Sequence, residues 1–311
     1  MASRDPRADI IDSNPFPKPK IKRIHSSPDN NQQSNIFTID ELRNMFNNNI
    51  NSKPVKQEKK VWEFSDLEKQ NLGLATIAFT IALGFMAVRG FWGIDDLGFN
   101  SWIIMFILSM PVMLLAVGPA FILHEIGHKI IAKKNGCWAE FRADPSGLKF
   151  GMFLAFFLGV LFMAPGAVMV AGLVTRKQNG HIAVAGPLTN LSLFLIGIPI
   201  WIIILGLTGA MNGNPPSLFE GGVSTAYIEG NSIIWQSMLV DAGAVWLSAN
   251  LILGLFNMIP FGPLDGAKVK DWSEQAFYTV FLIFLIPIIS WVFLGIWSPK
   301  GLLESGVNLL F

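Results

Sequence analysis

The residues best suited to chemistry are gathered in one short stretch, Phe121-Ile-Leu-His124-Glu125-Ile-Gly-His128-Lys129. His124 and His128 are four positions apart, which on a helix puts them on one face, a turn apart. Glu125 lies beside them. Two imidazoles at this spacing with an adjacent carboxylate form the pattern that binds zinc and activates water. The stretch ends a run that is otherwise apolar and long enough to cross a bilayer. Ionisable groups at such depth are expensive to bury and are held there for function. The first reading is a zinc hydrolase, with one Zn2+ per chain, whose reactive residues lie inside the membrane.

A catalytic zinc needs a third protein ligand and an open position. Asp265 is the candidate, because it follows a later apolar run that ends on the same side of the membrane. His181 competes with it, but its place near a turn suits lining the site better than binding metal. His25 lies in a polar tail and reads as a solvent residue. Glu125 would act as the base. Asn190 and Asn257 are uncharged donors near span ends. Either could stabilise an oxyanion, hold a substrate backbone, or serve only as a cap or interhelical hydrogen bond.

The elements that must position these residues are membrane spans. Of 311 residues 51% are hydrophobic and 14% charged, too few charges for a soluble domain of this length. Ten Trp and 25 Phe suit a protein with aromatic residues at membrane interfaces. The net charge of +1 gives no field to attract nucleic acid. A single cysteine, Cys137, excludes an intrachain disulfide framework and a zinc site built from several thiolates. The polar start has no short apolar core, so no cleaved signal peptide is expected.

The fold class expected is an all-α polytopic membrane protein. It has about five full spans, at 72–91, 102–131, 188–210, 234–258 and 276–297, with kinks at Pro111, Pro119 and Pro287. Residues 150–165 are apolar but short and read as a re-entrant segment. A weak strand is expected at 137–143, before a turn at Asp144-Pro-Ser-Gly147. Residues 168–184 read as a β-hairpin around Asn179-Gly180. Its edge would pair with an unfolded substrate strand. Asp241 is a polar outlier assigned to packing or loop placement, and the tail 298–311 is expected on the surface. The membrane domain is thus 61–311. Residues 1–60 read as a disordered cytoplasmic tail whose 38–48 segment could form a short helix for a regulatory partner. Lysines and arginines at 129–149, with Lys268 and Lys270, place the amino terminus and the His motif toward the cytoplasm of a multi-pass cell-membrane protein.

Three signatures occur in order: His124-Glu125-x-x-His128, Gly186-Pro187-x-x-Asn190, and Asn257-x-x-Pro260-x-x-Pro263-Leu264-Asp265-Gly266. Together they resemble the site-two protease family of intramembrane zinc metalloproteases, over about residues 72–297. The absence of an inserted PDZ domain is similar to the minimal prokaryotic and archaeal forms. The resemblance implies zinc on His124, His128 and Asp265, with Glu125 as catalytic base. It also implies that Asn257 lies near the substrate and that the hairpin region clamps an extended peptide. The substrates implied are single-span membrane proteins. Other classes stay in view: a transporter or channel with a buried polar site, an inactive scaffold of the same fold, and a zinc hydrolase acting on lipid.

Overall fold

In a computed structural model the described residues are 61–163, 165–219 and 225–311. The expected tail and its 38–48 segment lie outside them. In chain order the elements are α1 (Asp66–Ala87), a 3-10 turn, the short α2 (Gly93–Leu97), α3 (Phe99–Lys134), β1 (Trp138–Ala143), α4 (Pro145–Leu158) and β2 (Gly166–Ala171). Then follow α5 (Arg176–Thr208), β3 (Ile228–Glu229), β4 (Ser232–Ile233), α6 (Trp235–Asn257), α7 (Asp265–Trp272), α8 (Glu274–Ile288) and α9 (Pro299–Leu310).

Among the described residues five helices are long and apolar enough to cross a membrane: α1, α3, α5, α6, and α8 with the π-helical turn Ile289–Phe293 that extends it. The 36 residues of α3 reach about 54 Å, well beyond a hydrocarbon core of about 30 Å. That helix runs on through Pro111 and Pro119. The 14 residues of α4 reach only about 21 Å, too short to cross. α3, α5 and α6 pack on one another as the centre of the bundle, with α1 against α3 and α8 against α6. Small residues line these contacts, including Ala75, Ala82, Ala116 and Ala120, each fully buried. Close helix approach of this kind is how spans associate where burial in lipid offers no hydrophobic gain. Ile107, Leu115, Ile196 and Ile203 point outward, as a hydrocarbon solvent permits.

The expected hairpin at 168–184 is not formed. β2 pairs antiparallel with β1, Trp138 opposite Ala171 through Ala143 opposite Gly166. Residues 176–184 are the first turns of α5, so the third span starts at 176 and not 188. One local and one distant feature decide this. Thr175 and Gln178 form a capping box that starts the helix. Gly180 is needed not for a turn but for contact, since a Cβ there would lie 2.3 Å from the Trp272 side chain of α7. The strand expected at 137–143 is β1. The turn expected after it is the start of α4, with Asp144 as N-cap and Pro145 in the first turn. The carboxyl-terminal segment is also more than a surface tail: α9 packs on α5 and α6, burying Leu303 and Val307.

Candidate metal centre

The last turns of α3 carry His124 and His128, both buried, with ring centroids 4.7 Å apart and ring planes nearly perpendicular. Each ring is fixed through Nδ1. His124 Nδ1 donates to Asn190 Oδ1 of α5 at 2.6 Å, and His128 Nδ1 donates to the Ile182 carbonyl at 2.7 Å. With the proton of each neutral ring on Nδ1, both Nε2 atoms present lone pairs. Those lone pairs face each other at 3.1 Å. Asp265, in the first turn of α7, brings Oδ2 to 3.0 Å from His128 Nε2 and 3.5 Å from His124 Nε2. Asp265 is buried, 7% exposed, so its carboxylate meets the two rings and not solvent.

This triangle fits zinc. Ligand atoms at about 2.0–2.2 Å from a tetrahedral ion stand about 3.3–3.6 Å apart. The three sides here are 3.0, 3.1 and 3.5 Å. Two bare imidazole nitrogens and a carboxylate oxygen repel one another unless a cation or shared protons lie among them, and the nitrogen protons are already committed on the far side of each ring. One such His-His-Asp group is found among the described residues. Zinc held there supplies a Lewis acid for a carbonyl and lowers the pKa of water.

The other expected residues are placed as follows. Glu125 is half-buried, and its Oε2 accepts the Val168 N–H of β2 at 3.2 Å. Asn190 is fully buried and fully engaged: besides His124, its amide donates to the Ala120 carbonyl at 3.1 Å and to Asn250 Oδ1 at 3.0 Å. Of the uses open to it in sequence, the interhelical hydrogen bond is the one present. Asn257, at the end of α6, donates to the Leu253 carbonyl of its own helix at 3.0 Å. His181 lies outside the cluster, on α5, with its ring edge-on to Trp272.

Two contributors were not expected. Asn250 joins α6 to the Asn190 network. Gly186 faces the metal-binding nitrogens directly: a Cβ there would come within 2.4 Å of His128 Nε2 and 2.5 Å of His124 Nε2. The signal for Gly186 was present, because it lies four residues before Asn190 and so on the same helix face.

Five apolar spans around a buried His-His-Asp centre define a multi-pass membrane protein with a zinc site. The chain belongs to peptidase family M50, the site-two protease family: residues 112–273, over half of its length, match the family described as Peptidase family M50. It is 36% identical over 189 residues to a Methanocaldococcus jannaschii protein named "Putative zinc metalloprotease MJ0611", covering 58% of this chain and 84% of that one. It is 24% identical over 204 residues to "Putative zinc metalloprotease YwhC" of Bacillus subtilis, covering 59% and 84%. A further M. jannaschii relative, "Zinc metalloprotease MJ0392", is 26% identical over 168 residues, 54% of this chain and 33% of that one. No solved structure matches the chain at significance. Family, fold and site together make it a zinc-dependent intramembrane endopeptidase.

Proposed function

We propose that the chain cuts single-span membrane proteins in or near their transmembrane segments, with Glu125 as the proton-transferring residue. Glu125 directly follows the ligand His124, and the Val168 amide holds its Oε2 on the strand side of α3. A carboxylate so placed takes a proton from the attacking water and returns it to the leaving amine nitrogen. Water is thereby divided across the peptide bond, hydroxyl to the carbonyl carbon and hydrogen to nitrogen.

A substrate helix hides its carbonyls in its own ladder and must be extended to react. The sheet has one edge suited to hold it. The outer edge of β1 is closed by α1, with the Phe141 N–H donating to Glu68 Oε1 at 3.1 Å and the Ala143 N–H to Asn71 Oδ1 at 3.0 Å. The outer edge of β2 lies beside Glu125, where an extended segment adds by backbone hydrogen bonds. Asn257 contacts that backbone in this reading, and Asn190 holds His124. Lys129, Lys133 and Lys134 at the end of α3, with Lys268 and Lys270 on α7, support a cytoplasmic amino terminus and a site near the cytoplasmic side.

The observation that carries this proposal is Glu125 held on an edge strand beside the His-His-Asp triangle. Its test is cleavage of a panel of single-span reporters in liposomes by wild type, Glu125→Gln and metal-stripped protein. Wild type should cut while the other two do not. Equal cleavage by Glu125→Gln would remove Glu125 from the chemistry. Zinc-loaded wild type that cuts no reporter while moving a solute across the liposome would favour the transporter reading.

A further inference from the structure

The sheet is tied to the metal-binding helix at two points, and the tie forms a closed loop. Lys129 lies one residue beyond His128 and four beyond Glu125, so it shares a face of α3 with Glu125. Its Nζ donates to Glu68 Oε2 of α1, and both side chains are only 1% exposed. Oε1 of the same Glu68 accepts the Phe141 N–H of β1 at 3.1 Å. Phe141 stands opposite Val168 of β2. The Val168 N–H donates to Glu125 Oε2 at 3.2 Å. The path leaves α3 at Lys129, crosses α1 and both strands, and rejoins α3 at Glu125, one turn earlier.

Antiparallel pairing explains why the loop can close. Opposed residues that do not bond each other turn their N–H groups outward. Phe141 and Val168 are such a pair: one amide reaches Glu68 and the other reaches Glu125. The sheet is therefore held between two carboxylates at one level. Phe64 and the Glu63 carbonyl add to the hold on Lys129, with the Phe64 ring centroid 3.5 Å and the carbonyl oxygen 2.8 Å from Nζ.

A buried ion pair is a weak source of stability, and apolar residues of similar size often serve as well. An apolar pair cannot accept the Phe141 amide. We infer that Glu68 is a positioning residue for Glu125: through Lys129 it fixes β1 to α3, and through the Phe141–Val168 pair it sets the amide that holds the base. This rests on the role proposed for Glu125.

The test compares two double variants of the zinc-loaded full chain in detergent. E68M/K129M removes both charges and the acceptor. E68Q/K129M removes both charges and keeps an acceptor. Hydrogen exchange of the 166–171 segment is read by mass spectrometry. Cleavage is read on a single-span reporter, a Leu/Ala helix interrupted by Asn-Gly-Gly. In E68M/K129M, exchange of 166–171 should rise and kcat should fall, each about tenfold, with KM and zinc content unchanged, because small misplacement of a reacting group is costly. E68Q/K129M should restore most of both. Equal exchange and equal kcat in the two variants would overturn the inference. So would loss of zinc with faster exchange throughout α5 and α6, which would mark the pair as needed only for folding. If the exchange pattern separates the variants while wild type cuts nothing, the coupling stands and the proteolysis reading fails.

Discussion

Asp241 and Asp265 are both buried aspartates, one in the second turn of α6 and the other just beyond its far end, yet their surroundings are opposite in kind. Every neighbour of Asp241 gives it a proton to share. Ser217 Oγ donates at 2.5 Å, the Leu218 N–H at 2.8 Å and the Tyr227 hydroxyl at 2.9 Å. Burial, and then the charge of Asp241, push the Tyr227 phenol far above its ordinary range, so it remains a donor. The result is a closed knot that pins Ser217, Leu218 and Tyr227 to the bundle. Asp265 faces two imidazole nitrogens whose protons are already used elsewhere. Depth alone therefore does not mark a functional carboxylate. What marks it is a set of lone pairs converging on one point with no proton left to fill it.

Breaking each node should separate the two kinds. Asp265→Ala has the largest expected effect: zinc per chain, measured by atomic emission, falls toward zero and reporter cleavage goes with it. Glu125→Gln comes next, with cleavage lowered by about 10³-fold while zinc content stays at wild-type level, since it removes proton transfer but no ligand. Asn190→Ala should weaken zinc affinity by about 10- to 100-fold, as loss of a group orienting a ligand does, read by competition with a zinc-sensitive dye. Asp241→Ala should leave zinc at one per chain. It should lower unfolding stability by about 3 kcal/mol, because three buried donors lose their acceptor. If Asp241→Ala instead released zinc with the fold intact, the distinction between the nodes would collapse. His181→Ala should be the mildest, with no change in zinc content, since its ring meets Trp272 and not the metal centre.

The sequence carried the spans well because their signal is local. Apolar runs are continuous over a bilayer's width, and the described helices differ from the expected ranges mostly by a few residues. The ligands were legible too. His124 and His128 share a helix face by spacing, and Asp265 followed from its place after a span. What failed was pairing. The β-branched run before Asn179-Gly180 resembles half of a hairpin, but its partner strand lies upstream beyond α4. A local pattern cannot report a strand whose paired residues lie 23 to 33 positions away, nor that Gly180 is small to admit Trp272. The same limit hid Asn250 and the Glu68–Lys129 pair. Each acquires its role only when helices distant in sequence come together.

The two imidazoles lie six and ten residues inside the end of α3, about 9–15 Å along its axis. His124, His128 and Asp265 are all buried, so a multiply charged chelator such as EDTA must give up hydration to reach them. A neutral, lipid-soluble chelator meets no such barrier. Resistance to EDTA would therefore be the normal behaviour of this enzyme and no argument against a metal, and rapid inhibition by a hydrophobic chelator would be the informative result.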